Sequence, residues 1–327
     1  MPPSKPITNY IKTKMKKTIK ISIAIVFALL STATYAQDDD TEISNVQKFT
    51  PSKLLAKGQW DIKSFNSIYT QTKRTDENSE KVTIPRETFF TSTNEIYTGI
   101  SNSSRVNVGL IFQVRSNTIN DRSTLSVLEF GDNLTDARSG LTTVAPSVRI
   151  QPFKNIGNFS FTTSLYIPVF KDVATVDDNS IDGNLYLDQR SFTWETRFFF
   201  DHTFGGGKWQ VFTEANFRYN FGENSSDADP NTENVRERFA NNSLFLPVGA
   251  FLSYFPSSKS TVFINAQQLT LIDINNDFSQ NGTALGFGAK YQLTQKLNIE
   301  ASYSNIVRGS SFQGLGNTFG IGLRYLL

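Results

Sequence analysis

The chain has 327 residues, with 32 Lys+Arg against 30 Asp+Glu, one histidine, no cysteine and 28 phenylalanines. Without cysteine there are no disulfides and no thiol chemistry, and the near balance of charge gives no footprint for nucleic-acid binding. A hydrophobic content of 38% is low for a helical membrane protein but suits strands with one apolar and one polar face.

The first element is an export segment. Met15, Lys16, Lys17 and Lys20 form a basic start, Ile21 to Leu30 an apolar stretch, and Ser31 to Ala36 a small-residue cleavage site ahead of Gln37-Asp-Asp-Asp40. Residues 1–14 precede the natural-looking start at Met15 and carry no structural weight. Cleavage after residue 36 removes six lysines and no acids, leaving 26 basic against 30 acidic residues, a formal net charge of −4. No later stretch reaches the roughly 20 apolar residues that a spanning helix needs. Residues 37–57 read as a periplasmic lead-in.

From residue 58 onward the pattern has period two. Twelve strands are predicted, at 58–71, 86–100, 104–115, 140–151, 158–170, 190–203, 208–221, 243–255, 260–271, 282–293, 296–308 and 316–327, with 10 or 14 as the alternative counts. Their lengths suit tilted strands that cross a bilayer. Alternation is clear in Val106, Val108, Leu110, Phe112 and Val114, which oppose Asn107, Gly109, Gln113 and Arg115. Leu285, Phe287, Ala289 and Tyr291 likewise oppose Gly286, Gly288, Lys290 and Gln292. The first, second and ninth strands alternate less well, and the step from Trp60 and Ile62 to Phe65 and Tyr69 suggests a bulge. Connections alternate between short (such as Ser101–Ser103 and Thr294–Gln295) and long (72–85, 116–139, 171–189, 222–242, 272–281 and 309–315). Short turns on one side and longer loops on the other belong to outer-membrane barrels. The fold class expected is all-β, a transmembrane antiparallel barrel over 58–327, located in the outer membrane of a Gram-negative-type envelope and in contact with its lipid.

The closing run Phe319-Gly-Ile-Gly-Leu-Arg-Tyr-Leu-Leu327 resembles the strand by which barrel-assembly machinery recognises its clients, with Leu where Phe is usual. The hairpin Tyr97-Thr-Gly-Ile-Ser-Asn-Ser-Ser-Arg-Val-Asn-Val-Gly-Leu110 resembles a unit of the outer-membrane family named after the MetA pathway of phenol degradation. The run Leu246-Pro-Val-Gly-Ala-Phe-Leu-Ser-Tyr-Phe-Pro256 is similar in style. The resemblance implies a barrel over most of 58–327, and transport of small solutes, without naming one.

Candidate chemistry lies inside. A turn at Thr294–Lys296 sets Lys290 opposite Glu300, a last hairpin sets Arg324 beside Glu300, and the turn near Gly206 sets Arg197 opposite Glu214. Glu195 and Arg218 extend this ladder. Opposite charges on neighbouring strands attract. Such a ladder either sets the selectivity of a pore or stiffens a filled interior. A closed barrel that serves structurally or binds through its loops is therefore the alternative to a channel.

A hydrolase ranks third. The single His202 falls on the lipid side with Trp194, Phe198 and Phe200, without the nucleophile that a general base must reach. No enzymatic activity and no cofactor are expected. Asp227, Asp229, Asn231 and Glu233 alternate as in a calcium loop, but Thr232 stands where that loop needs glycine. A solvated acidic loop is the favoured reading, and no metal site is assigned. Asp177, Asp178 and Asp182 are read in the same way.

Overall fold

The computed structural model describes residue 50 and residues 52–133, 135–170, 185–189, 191–222, 242–274 and 278–327. The export segment 1–36 and the acidic stretches 177–182 and 227–233 lie outside them. The strands are β1 (Trp60–Thr75), β2 (Lys81–Gly99), β3 (Val106–Thr118), β4 (Ala137–Ile150), β5 (Phe159–Pro168), β6 (Thr193–Phe204) and β7 (Trp209–Asn220). They continue as β8 (Ser243–Phe245), β9 (Val248–Ser257), β10 (Ser260–Asp273), β11 (Ser279–Gln292), β12 (Leu297–Ser310) and β13 (Asn317–Leu326). All pairings between these strands are antiparallel, and β13 returns to β1 from Asp61↔Leu326 to Thr70↔Asn317, so the sheet closes.

β8 and β9 are halves of one crossing. Both lie between β7 and β10, and Arg218↔Phe245 and Ala215↔Val248 belong to one continuous register. The interruption falls at Pro247, which has no N–H to give the ladder. Its carbonyl still accepts from the Asn216 amide at 2.8 Å. The barrel therefore has twelve crossings, as the period-two pattern implies.

The strands alternate because each second residue meets a different solvent. Outward positions include Trp60, Leu110, Leu165, Phe198, Ile264, Phe287, Ile321 and Leu323, all well exposed. Inward positions include Asp61, Lys63, Glu95, Asn107, Arg149, Thr162 and Arg324, all buried. A wall that shows large apolar side chains outward and hides its charges is built to face lipid.

Two expectations need correction. There is no bulge near Phe65: Asp61 to Gln71 pair without interruption with Tyr97 to Glu87 of β2, and the register shift comes only between Gln71 and Lys73. Phe65 and Tyr69 share the parity of Asp61 and Lys63, so they point into the lumen. Nor do short and long connections alternate throughout. The connection 76–80 is shorter than the turn 100–105 that follows it, and 274–278 and 311–316 are only a few residues longer than the turns 258–259 and 293–296 that precede them. β1, β2 and β10 to β12 run on as paired strands beyond the apolar band, in residues such as Thr70, Gln71, Thr283 and Arg308. Apolar alternation stops where the lipid stops, whereas hydrogen bonding does not.

Inward glycines make room for lumen aromatics. A Cβ at Gly288 would stand 2.4 Å from Phe263 Cζ and 2.6 Å from the Ala301 carbonyl oxygen, so both a ring and the neighbouring backbone would have to move. Gly288→Val is expected to destabilise the barrel by roughly 1–3 kcal/mol through overpacking. Urea titration of the detergent-folded protein, read by the heat-dependent gel shift, measures this; an unchanged midpoint would contradict the packing described.

Candidate functional site

The lumen holds two layers of side chains about a cavity of about 290 Å³. At its centre is a charged network from strands far apart in sequence. Lys63 Nζ lies 2.9 Å from Glu95 Oε2 and 3.5 Å from Asp61 Oδ2. Arg324 Nε and Nη2 grip the two oxygens of Asp61 at 2.7 and 2.9 Å, a bidentate pair of the strong kind. Arg149 lies 3.9 Å from Asp61 and 3.8 Å from Glu95, with its guanidinium 4.3 Å from the centre of the Tyr97 ring. Tyr97 in turn bonds Ser147 at 2.8 Å. Asp61 is fully buried, and Lys63, Glu95, Arg149 and Arg324 are nearly so.

This network is tied to a second, more open group. Arg197 reaches Glu95 at 3.6 Å and donates to Glu214 from Nε at 3.1 Å and Nη2 at 3.0 Å. Lys290 pairs with Glu300 at 2.9 Å. Arg197, Glu214, Lys290 and Glu300 all line the cavity and are only partly buried. The facing wall is aromatic. Phe199, Phe212, Phe251 and Phe263 form a chain with ring centres 6.0, 5.6 and 5.9 Å apart across β6, β7, β9 and β10. Arg197 caps its one end, 5.2 Å from the Phe199 ring, and Lys290 the other, 5.5 Å from the Phe263 ring.

The ladder read from sequence is thus partly right. Lys290 stands opposite Glu300 in the register. Arg324 does not stand beside Glu300: Gly322 does, and Arg324 faces Asn298 and bonds Asp61 of β1 instead. The last hairpin pairs two residues out of step with the expected register, which moves Arg324 toward the turn end. The β6–β7 hairpin is offset in the same way. Arg197 faces Asn216 while Glu195 faces Arg218, and Arg197 meets Glu214 diagonally. Glu195 and Arg218 sit 4.0 Å apart, and Tyr166 donates to Glu195 at 3.0 Å. Asp61, Lys63 and Glu95 went unread because β1 and β2 alternate poorly on their outer faces, and Arg149 of β4 because its partners lie on those strands. The signal was on the inner faces, where Asp61 and Lys63, Glu95 and Tyr97, and Ser147 and Arg149 each stand two apart.

Both ends of the lumen are occupied. At the turn end the lead-in runs inside the wall. Thr50 lines the cavity, and Ser52 donates to the inward carboxylate of Asp201. Leu55 exchanges backbone bonds with the Asn107 amide at 3.1 and 3.2 Å. It passes so close to β2 that a Cβ at Gly99 would fall 2.2 Å from the Ala56 carbonyl oxygen. At the loop end residues 185–189 enter the barrel. Asn117 donates to the Tyr186 and Leu187 carbonyls, Arg138 to that of Leu185 at 2.8 Å, and Arg115 lies 3.1 Å from Asp188. His202 shares the outward parity of Trp194 and Phe198 and stacks on Phe204 at 6.2 Å.

No protein-family model matches the chain, and no curated protein matches its sequence. Its fold is found among solved structures. An outer membrane channel of Pseudomonas putida F1 superposes with a TM-score of 0.62 at 11% identity, over 85% of this chain and 98% of that one. The beta domain of the Bordetella autotransporter BrkA gives 0.52 at 13% identity, over 82% and 99%. The fold is that of outer-membrane barrels.

Removing one partner of a buried ion pair strands the other. Arg324→Leu is therefore expected to cost about 3–5 kcal/mol of folding stability, and Lys290→Leu, whose pair is partly solvated, about 1 kcal/mol or less. Urea unfolding of both variants in detergent tests the order; equal losses would show that the two groups do not differ as described.

Proposed function

We propose that the protein is an outer-membrane channel or transporter for small solutes, exported by residues 1–36 and assembled through its C-terminal strand. The observation that carries this reading is the cavity enclosed at mid-barrel between a charged wall and an aromatic one. An interior meant only to stiffen the barrel has no need of partly solvated ion pairs around an open space. The likeness to a channel from Pseudomonas putida F1 supports it at the level of fold.

The lining suggests which solutes pass. Lys63, Arg149, Arg197, Lys290 and Arg324 face the cavity against Glu95, Glu214 and Glu300. With Asp61 counted beside Arg324, five cations stand against four carboxylates, and this excess of one favours small anions, since rings of fixed charge set selectivity in a pore. The volume is near the lower end of ligand pockets, roughly 300–1,000 Å³, and excludes large substrates.

A closed barrel is the second reading, favoured by the lead-in at one end and residues 185–189 at the other. Planar-bilayer recording separates the two. On the channel reading, wild type conducts in small steps and deletion of residues 50–57 enlarges them several-fold. No current from either protein supports the closed barrel. Glu300→Gln is expected to raise the anion-to-cation permeability ratio and Lys290→Gln to lower it; a ratio unmoved by both would remove this pair from the conduction path.

A further inference from the structure

Among the described residues the outer wall carries polar side chains within its apolar rows at Thr163 and Thr196, which bond each other and Trp194, and in a group of four on β1 and β2 that includes two asparagines. Ser64 and Asn66 of β1 share the outward parity of Trp60 and Ile62, and Ser92 and Asn94 of β2 that of Ile96. The register pairs Ser64 with Asn94 and Asn66 with Ser92, so the four polar side chains form one patch. It is not at the rim. Ser64 and Asn66 pair on the other side with the exposed Leu323 and Ile321 of β13, and Asn94 and Ser92 with Phe112 and Val114 of β3. Tyr325 and Ile62 flank it toward the turn end, and Phe319, Ile68 and Phe90 toward the loop end. The patch therefore lies at mid-depth of the apolar band.

Polar groups at that depth are costly unless something satisfies them. Each asparagine donates to the serine two residues away, Asn66 to Ser64 at 3.3 Å and Asn94 to Ser92 at 3.1 Å. Among the described residues no bond reaches Asn66 Oδ1 or Asn94 Oδ1. Each Ser-x-Asn pair thus offers a carbonyl acceptor together with hydroxyl and amide donors, a set that is complementary to itself. In a membrane the attraction between spanning segments comes from such bonds inside an apolar surround. Here the surround is present as Phe112, Val114, Ile321 and Leu323.

We propose that this β1–β2 face is a dimer interface, and that its occupant is the same face of a second copy. Copies inserted with one orientation carry the patch at one depth, so a two-fold axis along the membrane normal sets each patch against its equivalent. Contact of that kind is isologous and closes at two subunits. The Oδ1 atoms of Asn66 and Asn94 then accept across the interface, where a purely apolar neighbour would leave them without a donor. The inference rests on the outer wall facing lipid, and is independent of whether solute passes through the lumen.

The chain has no cysteine, so single-cysteine variants report cleanly. Full-length Ser92→Cys in native membranes, treated with a mild oxidant, is expected to give a disulfide-linked band at twice the monomer mass. Ile264→Cys, on the far wall, is expected to give none. Asn66→Leu/Asn94→Leu in the Ser92→Cys background should lower the linked fraction about tenfold while the heat-dependent gel shift shows the barrel still folded. Equal cross-linking at positions 92 and 264, no cross-link at 92, or an adduct of another mass would each overturn the proposal.

Discussion

A closed sheet satisfies its own backbone, but it encloses every second side chain in a space too narrow to hydrate them all. That confinement governs the interior of this protein. Asp61 has no access to bulk water, so it is held by Arg324 with Lys63 and Arg149 close by. Once one carboxylate is buried, each partner it recruits has to be neutralised in turn, and the network spreads from β13 through β1, β2 and β4 to β6. Buried pairs of this kind add little net stability over an apolar filling. Their effect is to fix registers, because a slip of one residue would carry every charge to the lipid side.

The same confinement explains the rest of the lumen. Where charges can be partly solvated, as at Lys290–Glu300 and Arg197–Glu214, a cavity opens. Where no partner is available, phenylalanines fill the wall and glycines across the ladder give them room. The backbone carbonyls of Leu55, Leu185, Tyr186 and Leu187 accept from inward Asn107, Arg138 and Asn117, so the wall supplies polar side chains where peptide enters.

Outside, the constraint is reversed, because lipid provides no hydrogen bonds. The exterior accordingly shows aliphatics and aromatics around most of its circumference, the aromatics touching across strands as in Phe161–Phe198 and Phe287–Tyr303. Ser64, Asn66, Ser92 and Asn94 stand out for that reason alone: the same four residues on the inner face would need no comment.

Much of this was legible in the chain itself. Period-two alternation established an all-β barrel of twelve crossings, because the choice between lipid and lumen repeats at each residue and leaves its mark locally. Lys290 opposite Glu300 followed from a tight turn, which leaves little freedom of register. The partner of Arg324 was not legible, since a six-residue connection does not fix the register, and closure brings in β1 from the far end of the chain. Phe65 was also hidden, because a phenylalanine reads as lipid-facing until the pairing shows which side it occupies. Sequence alone thus determined the strands and their amphipathic character, which depend on neighbours two residues away. Only the closed tertiary structure decided which charges meet and what fills the lumen, because those contacts join residues up to 263 positions apart.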